Sequence, residues 1–409
     1  MGPMLLFDKS SLQGLKENEA IWLDHFFNTV ISPIFFVETL ADLEKQLPDR
    51  TAEREVAIIA SKTPEAHAHV NVFHGELIVA NLMGQYVPLD GRPVVPGVRV
   101  EVPGHVASVT EPQSELEAFA RWQDESFLEV ERRFARAWRT DLRRFSLKRT
   151  AAEMRRLDLD LGSCRSIQDL VCLARSTVER DSEDVVRAAL RLLQVPLERE
   201  VLQRWRALGM PTFAEFAPYA AFVVTIDLAL YCGVSRGFIS SERASNKVDV
   251  AYLYYLPFCS VFTSGDRLHR MLAPQFLRDD QEFVEASDLK RDLHAIEAHY
   301  AGLPEDERER GLDSIARTPP PVAELTTRLW DRYLPGWNDV LSGRDEPMSD
   351  DVRRTILERT RRLGEAVRSG DTSPVSPADD VDGVMMQRRV RPKRGNWWQL
   401  PKSLSQSEK

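Results

Sequence analysis

The chain contains two distant segments in which acidic residues lie beside apolar runs. The first holds LLFD at 5–8 and ISPIFFVE at 31–38, and the second extends from Asp249 through FCSVFTS to Asp266. Such runs are expected to be buried, where a carboxylate without a partner is costly. Four acids at the ends of these runs therefore suggest a site for magnesium or manganese, which prefer oxygen ligands.

The first fifty residues predict the start of a parallel sheet. A short buried strand over 4–8 ends in Asp8, and a helix with an apolar face follows over Glu19–Asn28. A second buried strand is predicted at Ile31–Phe36 and a second helix at Val37–Leu47. Strand, helix, strand and helix in this order are typical of a parallel α/β sheet.

The sheet pattern stops near residue 50 and returns far downstream. Between about 50 and 210 the pattern is mostly helical. Val248–Leu256 then suits a helix that carries Asp249 in its first turn. Phe258–Thr263 suits a central buried strand, and Phe283–Ala286 suits a further short strand.

These patterns predict the α/β class, with a parallel sheet flanked by helices and interrupted by a mostly helical insertion. The last forty residues are rich in Ser, Pro and Asp, which is typical of disorder. The predicted parts are a split α/β domain over 1–50 and 210–290, the insertion over 51–209, a helical C-terminal region over 291–368 and a flexible basic tail over 369–409.

The composition of the chain excludes some classes of protein but does not identify one. The net charge of −9 over 409 residues argues against a protein coated in basic patches, although a local basic surface is compatible with it. The four cysteines form no CxxC pair, so we do not expect a zinc ribbon. Free buried thiols are typical of proteins in a reducing cytoplasm, which is the expected location. The apolar stretch Ala217–Val234 is interrupted by Asp227, which favours a buried helix over a membrane span.

Functional groups of open parallel sheets gather at the carboxyl ends of the strands. Asp8 ends the first predicted strand, Glu38 follows the second, Asp266 follows the late strand and Asp249 projects from a helix beside it. Two to four carboxylates suffice for Mg²⁺ or Mn²⁺, and such an ion activates water and stabilises the charge of phosphoryl transfer. The alternative is that these acids only cap helices or hold turns.

At these residues the sequence resembles the PIN domain, a nuclease fold related to flap and exonuclease-type enzymes. The matching pieces are LFDKSS at 6–11, SPIFFVETL at 32–40, DVAY at 249–252 and FTSGD at 262–266. The resemblance covers about 1–48 and 240–290. The chain departs from the family in placing about two hundred residues between the second and third acids, and in having Lys9 after Asp8.

The resemblance implies a metal-dependent nuclease in which Asp8, Glu38, Asp249 and Asp266 hold one or two Mg²⁺ or Mn²⁺ ions. RNA is the implied substrate, because most members of the family cleave RNA; a DNA or flap-type nuclease with the same site is an alternative. A second alternative is a catalytically inactive PIN-like scaffold that mediates protein or nucleic-acid binding. Either Thr263 or Ser264 can supply the hydroxyl of the last motif, and only Ser264 gives the family's spacing.

Polar residues around the acids are candidates for contacts with substrate. Ser10, Ser264 and Asn246 could hold a water or a phosphate, and His269 could face the scissile phosphate or pack locally. For Arg243 and Lys247, pairing with carboxylates is favoured over phosphate contact.

Three further features have two interpretations each. His67, His69 and His74 offer an HxH spacing, but packing is favoured over zinc binding because no further ligand is well placed. A basic helix over 132–149, with arginines 132, 136, 139 and 143 on one face, could grip a phosphate backbone or be ion-paired. The tail around Trp397 and Trp398 could dock onto a protein partner or its own domain, or bind single-stranded nucleic acid.

Overall fold

A five-stranded parallel sheet forms the centre of the fold in the computed structural model. Its strands are β1 (Met4–Phe7), β2 (Asn28–Ile31), β3 (Ala68–Val70), β6 (Val261–Ser264) and β7 (Glu282–Glu285), in the order β3-β2-β1-β6-β7. All four pairings are parallel. The predicted α/β class is therefore correct. The structure describes residues 2–103, 105–110, 114–153, 159–342, 349–370, 372–374, 383–386 and 388–405.

Helices cover the sheet and make up most of the remaining chain. In the first half they are α1 (Lys9–Gly14), α2 (Glu17–Phe26), α3 (Pro33–Leu40), α4 (Ala52–Lys62), α5 (His74–Leu82), α6 (Ser114–Gln123), α7 (Glu129–Arg144), α8 (Leu147–Glu153), α9 (Ile167–Val178), α10 (Glu183–Leu192) and α11 (Glu198–Ala207). In the second half they are α12 (Phe213–Phe216), α13 (Pro218–Ser235), α14 (Asn246–Leu253), α15 (Arg267–Leu272), α16 (Ala286–Ala301), α17 (Glu305–Arg308), α18 (Leu312–Ile315), α19 (Glu324–Tyr333), α20 (Trp337–Ser342), α21 (Asp350–Ser369) and α22 (Lys402–Ser405).

The register of the sheet aligns the carboxyl ends of two strands that are far apart in sequence. Phe7 of β1 pairs with Thr263 of β6, so the next residues, Asp8 and Ser264, lie side by side. The three residues of β1 that precede Asp8 are completely buried, as the sequence predicted. Parallel strands flanked by helices are buried on both faces, which explains the continuous apolar run.

The predicted second strand is wrong in its position. Strand β2 ends at Ile31; the hydroxyl of Ser32 accepts the N–H of Phe35, and Pro33 occupies the first turn of α3. Serine at the N-cap followed by proline favours the start of a helix. The apolar residues 34–36 therefore lie in a helix, and Glu38 projects from that helix one turn after Ile34.

The insertion predicted for 51–209 does not begin at residue 51. Strand β3 lies within that segment and pairs with β2, so the central sheet draws on it. A second sheet of four strands then joins β4 (Val98–Val102) and β5 (His105–Thr110) to β8 (Ser373–Pro374) and β9 (Gly383–Met386). Helix α21 packs on this sheet through Leu363.

The described part of the predicted flexible tail is folded onto the body of the protein. Strands β10 (Lys393–Arg394) and β11 (Trp397–Trp398) form a hairpin whose turn includes Gly395 at φ +46°. Trp397 is buried and donates its indole N–H to Glu297 at 2.7 Å. The tail therefore docks onto its own fold; residues 371, 375–382, 387 and 406–409 of the predicted tail lie outside the described residues.

Helix α13 is the one helix, among the described residues, with the length and composition of a membrane span. Its mean hydropathy is 1.4, and 83% of its residues are buried inside the fold. Burial of this kind is typical of the core helix of a folded domain, as the sequence predicted for Ala217–Val234.

A buried ion pair fastens the tail at the amino-terminal edge of the sheet. Arg394 lies 3.1 Å from Asp24 and also donates to the carbonyls of Ser61 and Thr63. We expect Arg394→Ala to destabilise the fold by about 3–5 kcal/mol, since it leaves a buried charge without its partner. Thermal unfolding measures the loss, with the exposed Arg389→Ala as the matched control. Equal melting temperatures for the two variants would contradict this role.

Candidate active site

Asp8 is the centre of the candidate site and is surrounded by donors. It caps α1, accepting the N–H of Ser11 at 2.9 Å, and only 4% of the residue is exposed. The hydroxyl of Ser10 lies 2.9 and 2.8 Å from the two carboxylate oxygens. Ser264 donates to the second oxygen at 2.7 Å. These bonds compensate the burial that the sequence identified as costly.

His269 connects two of the acid-bearing segments. Its Nε2 donates to the carbonyl of Asp249 at 2.5 Å, and its Nδ1 lies 2.8 Å from the Ser264 hydroxyl and 3.3 Å from Asp8. Burial alone would lower the pKa of His269, but the hydrogen bond and charge of Asp8 outweigh it and raise the pKa. The imidazole is completely enclosed, so it positions Asp8 rather than facing a substrate.

His269 in turn lowers the pKa of Asp8. Burial alone would raise the pKa of Asp8, whereas the hydrogen bond and charge of His269, with the hydroxyls of Ser264 and Ser10, bring it below its ordinary value. Asp8 is therefore held as a carboxylate. Ser264, rather than Thr263, is the hydroxyl that reaches Asp8; the Thr263 hydroxyl is buried and has no hydrogen-bond partner among the described residues.

Glu38 lies on α3, between a tyrosine and a lysine. The hydroxyl of Tyr252, on α14, donates to its carboxylate at 2.6 Å. The ammonium of Lys9 lies 3.7 Å from the same carboxylate, but its shorter contact, at 2.5 Å, is with Asp42. Asp42 also binds Lys45 and Arg139, at 2.9 and 3.2 Å. Lys9 is therefore held mainly by Asp42, at the side of Glu38.

Asp249 has a carboxylate whose negative charge is disfavoured by its surroundings. It lies in the first turn of α14, as predicted, and is partly buried. Its burial is the largest cause that raises its pKa to about 7, and the charges of Asp266, Glu38 and Asp8 raise it further against the opposing charge of His269. No described residue donates a hydrogen bond to its side chain, and the influence of the other three acids places all four in one electrostatic environment.

Asp266 caps the helix that follows β6. Its carboxylate accepts the N–H of Leu268 at 2.6 Å, and its own N–H donates to the Ser264 hydroxyl at 2.9 Å. Gly265 donates to Ser10 at 3.0 Å, so the loop after β6 is tied to the loop after β1. Asp8 and Asp266 are thus both helix caps, as one of the two interpretations of the sequence predicts, and Ser10 and Ser264 connect their loops.

Two of the residues predicted to contact substrate are bonded to other partners, and a third is exposed. Lys247 is paired with Asp227 at 2.5 Å and bonded to the Tyr254 hydroxyl at 2.6 Å. Asn246 is buried and donates to the carbonyl of Ser240 at 3.0 Å, which fixes the turn before α14. Arg243 is exposed. The favoured pairing of Lys247 is correct, although its partner is not one of the four acids.

Tyr252, Asp42 and Ser11 also belong to the site and were missed in the sequence. Tyr252 lies one turn after Asp249, which is a spacing that places both on the same side of a helix. Asp42 lies one turn after Glu38 by the same rule. The spacing alone does not reveal them, because Tyr252 finds its partner on α3, and Asp42 finds its partners on α1 and on the distant α7.

The carboxylates have the chemistry for a divalent ion. Among the described residues, no group of three His, Cys, Asp or Glu side chains has the spacing to hold a metal ion as it stands. Asp249 nevertheless carries a strongly disfavoured negative charge and accepts no hydrogen bond from a described residue, so a cation beside it would relieve the repulsion. The donor set consists of oxygen atoms only, which is the kind that Mg²⁺ and Mn²⁺ prefer.

The three histidines of the HxH segment each contact a different part of the fold. The ring of His67 contacts the carbonyl of Asp24 at 2.7 Å, His69 lies 3.4 Å from Arg388, and His74 lies 3.2 Å from the Tyr255 hydroxyl. Three separate local contacts agree with the packing role that the sequence favours.

Comparison of the chain with family models, with curated proteins and with solved structures finds no match. The functional argument therefore depends on the geometry of the site.

Removing the Asp249 charge should stabilise the metal-free protein. An acid with a raised pKa destabilises the fold as pH rises above about 4, and the cost is complete above about 7. We expect Asp249→Asn to gain about 1 kcal/mol or more at pH 8 in EDTA, and less at pH 5. Thermal unfolding measures this, with the exposed Asp279→Asn as control; a loss of stability at pH 8 would contradict the repulsion.

Proposed function

We propose that this chain is a PIN-like, divalent-metal-dependent phosphodiesterase that cleaves nucleic acid, with RNA as the favoured substrate. Asp8, Glu38, Asp249 and Asp266 would hold Mg²⁺ or Mn²⁺. The preference for RNA over DNA depends on the resemblance to the PIN family alone.

The observation that carries the proposal is the meeting of four acid-bearing segments around shared partners. Ser264 contacts both Asp8 and the backbone of Asp266, and His269 contacts both Asp8 and the backbone of Asp249. Tyr252 joins α14 to Glu38. Acids that only capped their own helices would have no need of contacts that join all four segments.

The side chains of the site would have different roles, which depend on their surroundings. Ser10, Ser264 and His269 fix the orientation of Asp8 and keep it ionised. Burial and the neighbouring acids raise the pKa of Asp249 in the metal-free protein, so its carboxylate would gain strongly from a bound cation. A divalent ion, when bound, supplies positive charge for the phosphoryl oxygens and lowers the pKa of water.

A catalytically inactive scaffold is the second candidate, and two observations favour it. Both oxygens of Asp8 already accept hydrogen bonds from neighbouring residues, and the buried ammonium of Lys9 lies beside Glu38. A lysine so placed can replace part of the charge of a metal ion. On this hypothesis Mn²⁺ would change neither stability nor activity.

A nuclease assay with Mn²⁺ on RNA, single-stranded DNA and duplex DNA tests the proposal. We expect Asp8→Asn and Asp266→Asn each to lose activity by about 100-fold or more, because even residues that only orient metal ligands often contribute 10–100-fold. Asp279→Asn, at an exposed position, should keep full activity.

The outcome separates the candidates. Activity that depends on Mn²⁺ and on both acids supports the enzyme, and the preferred substrate distinguishes RNA from DNA cleavage. Equal residual activity in the wild type and both variants would refute the catalytic assignment and leave the scaffold.

A further inference from the structure

Helix α7 is basic along its length, and its arginines fall into two groups. Arg132 is bound to Glu53 at 2.7 Å, and Arg139 is bound to Asp42 at 3.2 Å and to the carbonyl of Ala41 at 3.0 Å. These two attach the helix to α4 and to the end of α3. Half of the face predicted to grip phosphate is therefore structural.

The second group of cations points to solvent. Arg143, Arg144 and Lys148 are exposed, and no described residue forms an ion pair with any of them. Arg133 and Arg136 have one ion-pair partner among the described residues, Glu129 of their own helix, at 3.7 and 3.2 Å. We call these five exposed residues the α7–α8 basic surface. The chain as a whole has a net charge of −9, so this concentration of positive charge is opposite in sign to the overall charge.

The basic surface borders the elements that carry the acids. Helix α7 packs against α3, which bears Glu38, and Arg139 reaches the same Asp42 that holds Lys9 beside the site. Helix α8 packs on α13, and α13 packs on α14, which bears Asp249. Helix α7 is therefore in direct contact with the helix that carries Glu38, and α8 is connected through α13 to the helix that carries Asp249.

Aromatic rings accompany the cations on the same helix. Phe134 is 42% exposed and stacks on Trp138 one turn later, with ring centroids 6.3 Å apart and planes 17° from parallel. Surfaces that bind single-stranded nucleic acid combine basic side chains for the backbone with aromatic rings on which unpaired bases stack. A duplex offers no free base face to such a ring.

We propose that the α7–α8 basic surface binds the phosphates of single-stranded nucleic acid, with Phe134 stacking on a base, and so delivers the strand to the acidic site. This inference rests on the proposed function for its biological role, but the binding itself needs no cleavage. The excess of positive charge over its few local partners is what an extended polyanion would compensate.

Binding of a fluorescent single-stranded oligonucleotide in EDTA tests the surface without any catalysis. The combined variant Arg143→Ala, Arg144→Ala and Lys148→Ala should raise Kd about tenfold or more at low salt. It should also reduce the slope of log Kd against log salt by about 2, because each phosphate contact with a single strand contributes about 0.7. The control variant replaces three exposed arginines of α21, at 359, 361 and 368, with alanine, and so loses the same amount of positive charge at another surface.

A second variant separates stacking from charge. Phe134→Ala should weaken single-strand binding at least about fivefold while leaving the salt slope unchanged. Equal weakening by the α21 control, or unchanged affinity in the α7–α8 variant, would overturn the surface. Tighter binding of a duplex, or of an acidic protein only, would overturn the single-strand assignment. If the protein binds the oligonucleotide but does not cleave it, the binding surface stands and the proposed function is contradicted. If the protein cleaves nucleic acid but the triple variant binds as tightly as the wild type, the proposed function stands and the binding surface is contradicted.

Discussion

The burial of Asp8 is the constraint on which the rest of the site depends. A carboxylate at the end of a central strand is tolerable only if hydrogen bonds satisfy it, and the bonds come from α1, from the end of β6 and from His269. The partner from β6 can reach Asp8 only in the register that pairs Phe7 with Thr263. One buried charge thus ties together segments that are about 250 residues apart, and the same contacts bring Asp249 and Asp266 close to it.

The charges around Asp8 are unevenly matched. Asp8 is paired with His269, and Glu38 shares Lys9 with Asp42, whereas Asp249 accepts no hydrogen bond from a described side chain and bears the repulsion of the other acids. A fold that was selected only for stability would gain from a neutral residue at 249. Keeping an unfavourable charge at the carboxyl edge of a sheet is typical of a functional site.

The sequence predicted the parts of the fold that depend on local pattern. The strand before Asp8, the helix that carries Asp249 and the buried helix α13 all follow from the apolar residues of their own segments. The predicted position of strand β2 is wrong because Ser32 and Pro33 start a helix within what is otherwise a continuous apolar run. The sequence does not predict β3 within the segment 51–209, because a strand of three residues is too short to show an alternating pattern.

The remaining errors concern contacts that no local pattern encodes. Arg394 and Trp397 lie in a basic, polar segment that is typical of disorder, yet their partners Asp24 and Glu297 come from α2 and α16. The order and spacing of the four acids could be found in the sequence, whereas the ion pairs of Lys9, Asp42 and Arg139 require the fold. Those pairs are what fix the positions of α3 and α7 beside the site.

The most direct test of the central claim is a crystal structure of the protein with Mn²⁺, with the metal located by its anomalous scattering. The account predicts a peak among the carboxylates of Asp8, Glu38, Asp249 and Asp266, absent from crystals of Asp249→Asn. A fully ordered site without a peak at a saturating Mn²⁺ concentration, with Lys9 and His269 unmoved, would contradict it.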